Sequence, residues 1–203
     1  MSTTFASQFL NDTLSVLNLV NQDDIESVVK VLSNARDRGG RLFLAGSGGG
    51  AGHASHATCD FRKLCQFEAY CITDNVSELT ARTNDDGWDS SYSNWLRASR
   101  VNSKDCLLVF SVGGGSIKPP VSVNLVNTIQ LAKEVGASVV GIVGRDGGAL
   151  RQLADASILI PTIEPKFVTP QAEGLQALMW HLIVSHPSLA ASEAKWEGLD
   201  NKK

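Results

Sequence analysis

The sequence predicts an α/β protein: a three-layer α/β/α sandwich around a five-stranded parallel sheet, preceded by a pair of helices. Three observations carry this. The hydrophobic period is helical as far as residue 38 and changes at residue 41. From there, short apolar runs alternate with longer amphipathic stretches, as strands joined by crossover helices require. Three of those runs end in glycine-rich turns, the punctuation of strand-to-helix connections.

Residues 4–20 place Phe5, Phe9, Leu10, Leu14, Leu17 and Leu19 on a broad helical face. Residues 23–38 repeat the pattern with Ile25, Val28, Val29, Leu32 and Ala35, and stop at Gly39-Gly40. Together these faces exceed what one side of a five-stranded sheet needs, which predicts a subunit interface. Strands are expected at 41–45, 69–73, 106–111, 139–143 and 157–160, apolar runs of the kind buried on both faces. Helices are expected at 50–64, 88–100, 122–135, 147–154 and 171–185. The chain reads as one domain over 1–203: N-terminal helices 1–40, an α/β core 41–185, and a polar tail 186–203 expected to fray.

Length and charge agree with a small globular protein. At 203 residues the chain is long enough to bury one core. A formal net charge of −3 supplies no overall basic field for nucleic acid or an anionic membrane, so neither is expected as a partner. The start of the chain lacks a signal-peptide pattern, and no apolar run is long enough to span a bilayer. The 4 cysteines lack CxxC pairing. A cytoplasmic protein is the expectation.

In a parallel α/β sheet, ligands collect beyond the carboxyl ends of the strands. Three such ends carry glycine here: Gly46-Ser47-Gly48-Gly49-Gly50, then Ser111-Val112-Gly113-Gly114-Gly115-Ser116, then Gly144-Arg145-Asp146-Gly147-Gly148. Glycine lets backbone N–H groups face a ligand, and a helix N-terminus adds partial positive charge. The first two turns together predict an anion site, phosphate foremost. No GK[ST] follows, which removes the nucleotide P-loop. Gly46-x-Gly48-x-x-Ala51 fits a loose dinucleotide fingerprint, with Glu68 or Asp74 as the later acid. That reading leaves the histidines and the second turn without a role.

His56 and Asp60 stand four apart and share a helical face. Glu173 and His181 stand eight apart in the last helix, near one stripe. Two helices that each bring an imidazole and a carboxylate suit a divalent metal, zinc favoured. They equally suit an acid–base pair, or hydrogen-bonded imidazoles beside solvated carboxylates. The residues alone leave these open. His53 and His186 read as structural.

The motifs are GSGG at 46–49 with His56 and Asp60 after it, TNDDGWD at 83–89, FSVGGGS at 110–116, GRDGG at 144–148 and EGLQALMWHLI at 173–183. Their combination resembles the sugar isomerase (SIS) domain, and within it the phosphoheptose isomerase family, over nearly the whole chain to about Val184. Ser47 stands where the family's GNGG loop has asparagine, and Asp60 where the family has its catalytic glutamate. Asn84 and Asp85 match the ANDYGFE segment. Ser111 and Ser116 match the STSGNS phosphate loop, in which Val112 and Gly113 lose two hydroxyls. GRDGG follows GKDGG. Glu173 stands at the family's glutamine and His181 at its catalytic histidine.

The resemblance implies a flavodoxin-like SIS fold, a homotetramer and zinc. It implies isomerisation of sedoheptulose 7-phosphate to D-glycero-D-manno-heptose 7-phosphate by proton transfer through an enediolate. Asp60 and His181 would be catalytic. Ser47, Gly48, Gly49, Asp60, Asn84, Asp85, Ser111, Val112, Gly113, Ser116 and Glu173 would contact substrate. His56, Asp60, Glu173 and His181 would hold the metal. Three departures bear on this. Asp60 is one methylene shorter than glutamate, Glu173 puts an anion in place of a neutral amide, and Ile117-Lys118-Pro119-Pro120-Val121-Ser122 reads as an insertion offering Lys118 or Ser122 to phosphate. The competing expectation is a non-catalytic SIS protein that binds a sugar phosphate or a protein partner as a regulator.

Overall fold

A computed structural model describes residues 4–192. Five parallel strands, β1 (Leu42–Gly46), β2 (Ala69–Cys71), β3 (Cys106–Ser111), β4 (Ser138–Val143) and β5 (Ala156–Leu159), lie in the order β2-β1-β3-β4-β5. The helices are α1 (Phe5–Asn18), α2 (Gln22–Asp37), α3 (Gly49–Cys65), α4 (Val76–Asp86), α5 (Trp88–Ala98), α6 (Val123–Glu134), α7 (Gly148–Leu153) and α8 (Val168–Ser185), the last entered through a 3-10 turn at Pro165–Phe167.

Side chains alternate across a strand, so each strand feeds two cores. Leu42, Leu44, Leu108, Phe110, Val140 and Ile142 face one side and pack with residues of α2, α3 and α8. Phe43, Ala45, Leu107, Val109, Val139 and Val143 face the other and pack with α5, α6 and α7. This is the predicted sandwich. The two N-terminal helices part company in it. The apolar face of α2 (Ile25, Val28, Val29, Leu32, Ala35) is buried against the sheet, while α1 buries Val16 and leaves Leu10 and Leu14 exposed. The surplus apolar surface therefore belongs to α1, anchored by Phe5 and Phe9 against the Phe167 ring.

Three local expectations are corrected. Helix α4 falls where no helix was predicted. It buries no residue, so hydrophobic period has nothing to report there. It stands on its cap: Asn75 accepts from the Glu78 amide, and Arg82 pairs with Glu78 at 2.7 Å. Strand β2 stops at Cys71, short of residue 73. The segment 186–192 does not fray. Leu189 is buried, Arg36 donates to the Ser188 and Leu189 carbonyls at 3.0 and 2.8 Å, and the amides of Ala191 and Ser192 donate to Leu64 O. The rest of the predicted tail, with Trp196, lies outside the described residues. Among the described residues no helix is long and apolar enough to cross a membrane.

The strand order reverses between β1 and β3, since β2 lies on one side of β1 and β3, β4 and β5 on the other. Connections leaving adjacent strands towards opposite layers open a crevice at their carboxyl ends. The glycine turns after β1 and β3 flank that crevice.

Candidate active site

The crevice forms the polar end of the candidate site, and a titratable cluster further along α3 forms the other. At the polar end, a cavity of about 260 Å³ is lined by Ser47, Ser111, Val112, Gly113, Ser122, Arg145 and Thr169, among others. Ser47 comes from the turn after β1. Gly48 adopts φ +57°, a conformation glycine reaches without steric cost, to start α3. Buried Tyr92 donates its hydroxyl to Gly46 O at 2.9 Å and fixes the turn's base. Burial pushes that phenol up, which keeps it a donor. Ser111 accepts from Gly114 N at 2.9 Å and so shapes its own loop. Gln176, fully buried on α8, donates to the Ser111 and Ile142 carbonyls at 3.0 Å each. Neither Tyr92 nor Gln176 was singled out in the sequence, since both sit within otherwise apolar helical stripes.

The third glycine turn is a buttress. A Cβ at Gly114 would lie 1.8 Å from Gly147 O, and one at Gly148 2.4 Å from Gly113 O. The amides of Ala149 and Leu150, at the start of α7, donate to the Gly115 and Gly114 carbonyls at 3.0 Å. Those amides are thereby spent on holding the loop after β3. The insertion closes as a small excursion: Ser116 and Val121 exchange two backbone hydrogen bonds of 2.9 Å. Lys118 at its tip faces an adjoining cavity of about 830 Å³ with Gln130, Asp146 and Gln152, which shares Gly113, Val121 and Arg145 with the smaller one that Ser122 faces.

The titratable end lies where α3 packs beside α8. Asp60 Oδ2 is 4.0 Å from His56 Nε2 and 3.9 Å from His181 Nε2. One donor atom from each of the three lies within 4.8 Å of the others. The histidine side chains are 63% and 51% exposed and that of Asp60 18%, so a ligand can reach all three. The tautomer of His181 follows from its partner. Nδ1 sits 2.7 Å from Ala177 O, a carbonyl that only accepts, so Nδ1 carries the proton and Nε2 offers a lone pair towards Asp60. Trp180 packs edge-on to the His56 ring at 4.7 Å and stiffens it.

Glu173 stands apart from this trio. Eight residues on a helix are about 12 Å and about 80° apart, so Glu173 does not share a stripe with His181. Its carboxylate instead rests on Gly49, where Cδ and both oxygens would be 2.6 Å from an added Cβ. His53 is close by. Burial lowers this imidazole, against the pull of the Glu173 charge, and its Nε2 is buried without a partner among the described residues. A histidine read as structural thus borders the crevice; its i, i+3 relation to His56 was the available signal. Asn84 and Asp85 lie on the exposed end of α4, Asn84 Nδ2 donating to Asp85 Oδ1 at 2.8 Å, and no described contact joins either to the trio.

The trio fits a zinc ion by chemistry: two imidazole nitrogens and a carboxylate oxygen converge, with one imidazole held in ligating form by its backbone bond. Glu173 does not converge with them.

The comparisons with known proteins agree with this architecture. The SIS domain model matches residues 7–144. The lincomycin biosynthesis protein of Streptomyces lincolnensis is 38% identical over 175 residues, covering 81% of this chain; the chain spans only 62% of that protein's length. The phosphoheptose isomerase of Aliarcobacter butzleri is 26% identical over 190 residues, 90% of this chain and 95% of that protein. The phosphoheptose isomerase of Sulfurimonas denitrificans is 30% identical over 171 residues, 82% of this chain and 81% of that one. A solved phosphoheptose isomerase from Francisella tularensis matches with a TM-score of 0.75 at 20% identity, covering 89% and 92% of the two chains. Another, from Neisseria gonorrhoeae, matches with a TM-score of 0.74 at 23% identity, covering 88% and 94%. At those identities the structures show a shared fold. With most of its core matched by the domain model and phosphoheptose isomerases aligned along most of its length, the chain belongs to the SIS domain family, on its phosphoheptose isomerase branch.

Proposed function

We propose that this enzyme interconverts a ketose phosphate and its aldose, with sedoheptulose 7-phosphate and D-glycero-D-manno-heptose 7-phosphate as the first pair to test. The observation that carries the reading is the convergence of His56, Asp60 and His181 on α3 and α8, with α3 starting at a crevice lined by hydroxyls and an arginine. A phosphate at the polar end leaves the sugar carbons to run along α3. From Gly49 that helix advances about 10 Å to His56 and about 16 Å to Asp60, along one face.

The chemistry needs a base for the proton beside the carbonyl and an acid to return it to the neighbouring carbon. Asp60 Oδ2 faces both imidazoles, which leaves Oδ1 for the carbon-bound proton. His181 Nε2 has one lone pair, so it serves either as ligand or as acid–base partner, and these roles separate by experiment. Glu173, on the path between the two ends, is placed to accept hydrogen bonds from sugar hydroxyls. Zinc held by His56, Asp60 and His181 would supply polarisation of substrate oxygens and stabilise enediolate charge. An assembly of four copies belongs to the proposal. It is supported by exposed Phe5, Leu10 and Leu14 on α1, with Leu19 just after it, beside exposed Leu178 and Leu182 on α8.

The test is proton NMR of the purified protein with ketose phosphates of five to eight carbons. Appearance of an aldose phosphate supports the reading. Binding without turnover of any of them would instead favour a sugar-phosphate-binding regulator.

A further inference from the structure

We propose that Arg145 is the cationic clamp of the substrate's phosphate, taking the place of the hydroxyls absent at Val112 and Gly113; this rests on the sugar-phosphate reading above. Its backbone, its contact with Gly113 and its place at the cavity point to it. Arg145 adopts φ +54°, a left-handed conformation that a non-glycine residue rarely takes and that calls for a reason. That conformation turns its stem across Gly113, where an added Cβ would meet Arg145 Cδ at 3.6 Å. Finally, Arg145 lines the same cavity as Ser47, Ser111, Ser122 and Thr169, and among the described residues it makes no ion pair.

The competing anion position fails on charge. At the N-terminus of α3, the Glu173 carboxylate already lies against Gly49, and a phosphate there would meet it at close range. The Arg145 side of Ser47 carries the opposite sign. Its polar groups are also under-used. Fully buried Asn124 donates Nδ2 to Ser47 Oγ over 3.4 Å, a long bond that leaves this donor capacity to spare. Helix α6 begins at Ser122 with no side-chain cap on its first amides. A tetrahedral dianion in this cavity would engage the guanidinium bidentately and accept from Ser122, Thr169 and those amides.

The experiment titrates inorganic phosphate and sulfate into wild type, Arg145→Lys and Arg145→Ala by calorimetry, and measures kcat and KM on whichever ketose phosphate turns over. Arg145→Ala is expected to lose tenfold to hundredfold in phosphate affinity and to raise KM by a similar factor. Arg145→Lys, which keeps charge but not the fork, should fall between. The residue is exposed, so circular dichroism and thermal midpoint should stay at wild-type values. Unchanged phosphate affinity and KM in Arg145→Ala would overturn the clamp even if the wild type isomerises sugars. Lost phosphate affinity in a protein that turns over no sugar would uphold the clamp and overturn the isomerase reading instead.

Discussion

The Glu173 carboxylate fills the space in which a side chain at Gly49 would begin, with Cδ and both oxygens 2.6 Å from an added Cβ. The intruding atoms are the far end of a flexible side chain, so Gly49→Ala should displace Glu173 without breaking the backbone. The expected result is a stability change within about 1 kcal/mol but a loss of about tenfold or more in kcat/KM. A double-mutant cycle checks the cause. Adding Glu173→Gln to Gly49→Ala should cost little beyond the single change, because both act on one carboxylate.

The metal trio has a built-in reporter. Trp180 lies 4.7 Å from the His56 ring and next to His181, so zinc binding should alter indole fluorescence. Trp180→Phe should remove that change while elemental analysis still finds zinc. His56→Ala and His181→Ala should each lower zinc affinity tenfold or more. If His181→Ala kept full zinc affinity and lost turnover, His181 would be the proton carrier and not a ligand.

At the amino-terminal end of the strands, opposite the crevice, one buried charge holds the entry to the central strand β3. Asp105 is 1% exposed and accepts from the Arg41 amide at 2.9 Å, from its guanidinium at 2.8 and 3.2 Å, and from the Asn102 amide at 2.9 Å. Asp105→Ala strands the partly buried guanidinium and two amides. Urea denaturation should show a loss of about 3–5 kcal/mol, with the zinc response of the folded protein unchanged.

Most of the sheet was legible because buried parallel strands are apolar runs, and Leu42–Gly46, Cys106–Ser111 and Ser138–Val143 lie within one residue of their predicted places. Helix α4 was not, since its stability is local capping and ion pairing rather than burial. In the site, the i, i+4 rule was enough to put His56 beside Asp60. Spacing within α8 could not show that Glu173 turns onto Gly49, because that depends on how α8 packs beside α3. The GRDGG turn was visible as glycine. Its two functions, a backbone buttress under the loop after β3 and a left-handed arginine over Gly113, exist only once β4 lies beside β3.

In the proposed reaction the trio at the junction of α3 and α8 performs proton transfer on a sugar phosphate. The most direct test measures conversion of sedoheptulose 7-phosphate by wild type, Asp60→Asn and His181→Ala side by side, together with inorganic phosphate affinity in each. The account predicts aldose formation by the wild type and a fall of at least about a hundredfold in both variants, with phosphate affinity held within about twofold. Undiminished turnover in Asp60→Asn, or no turnover in the wild type, would contradict it.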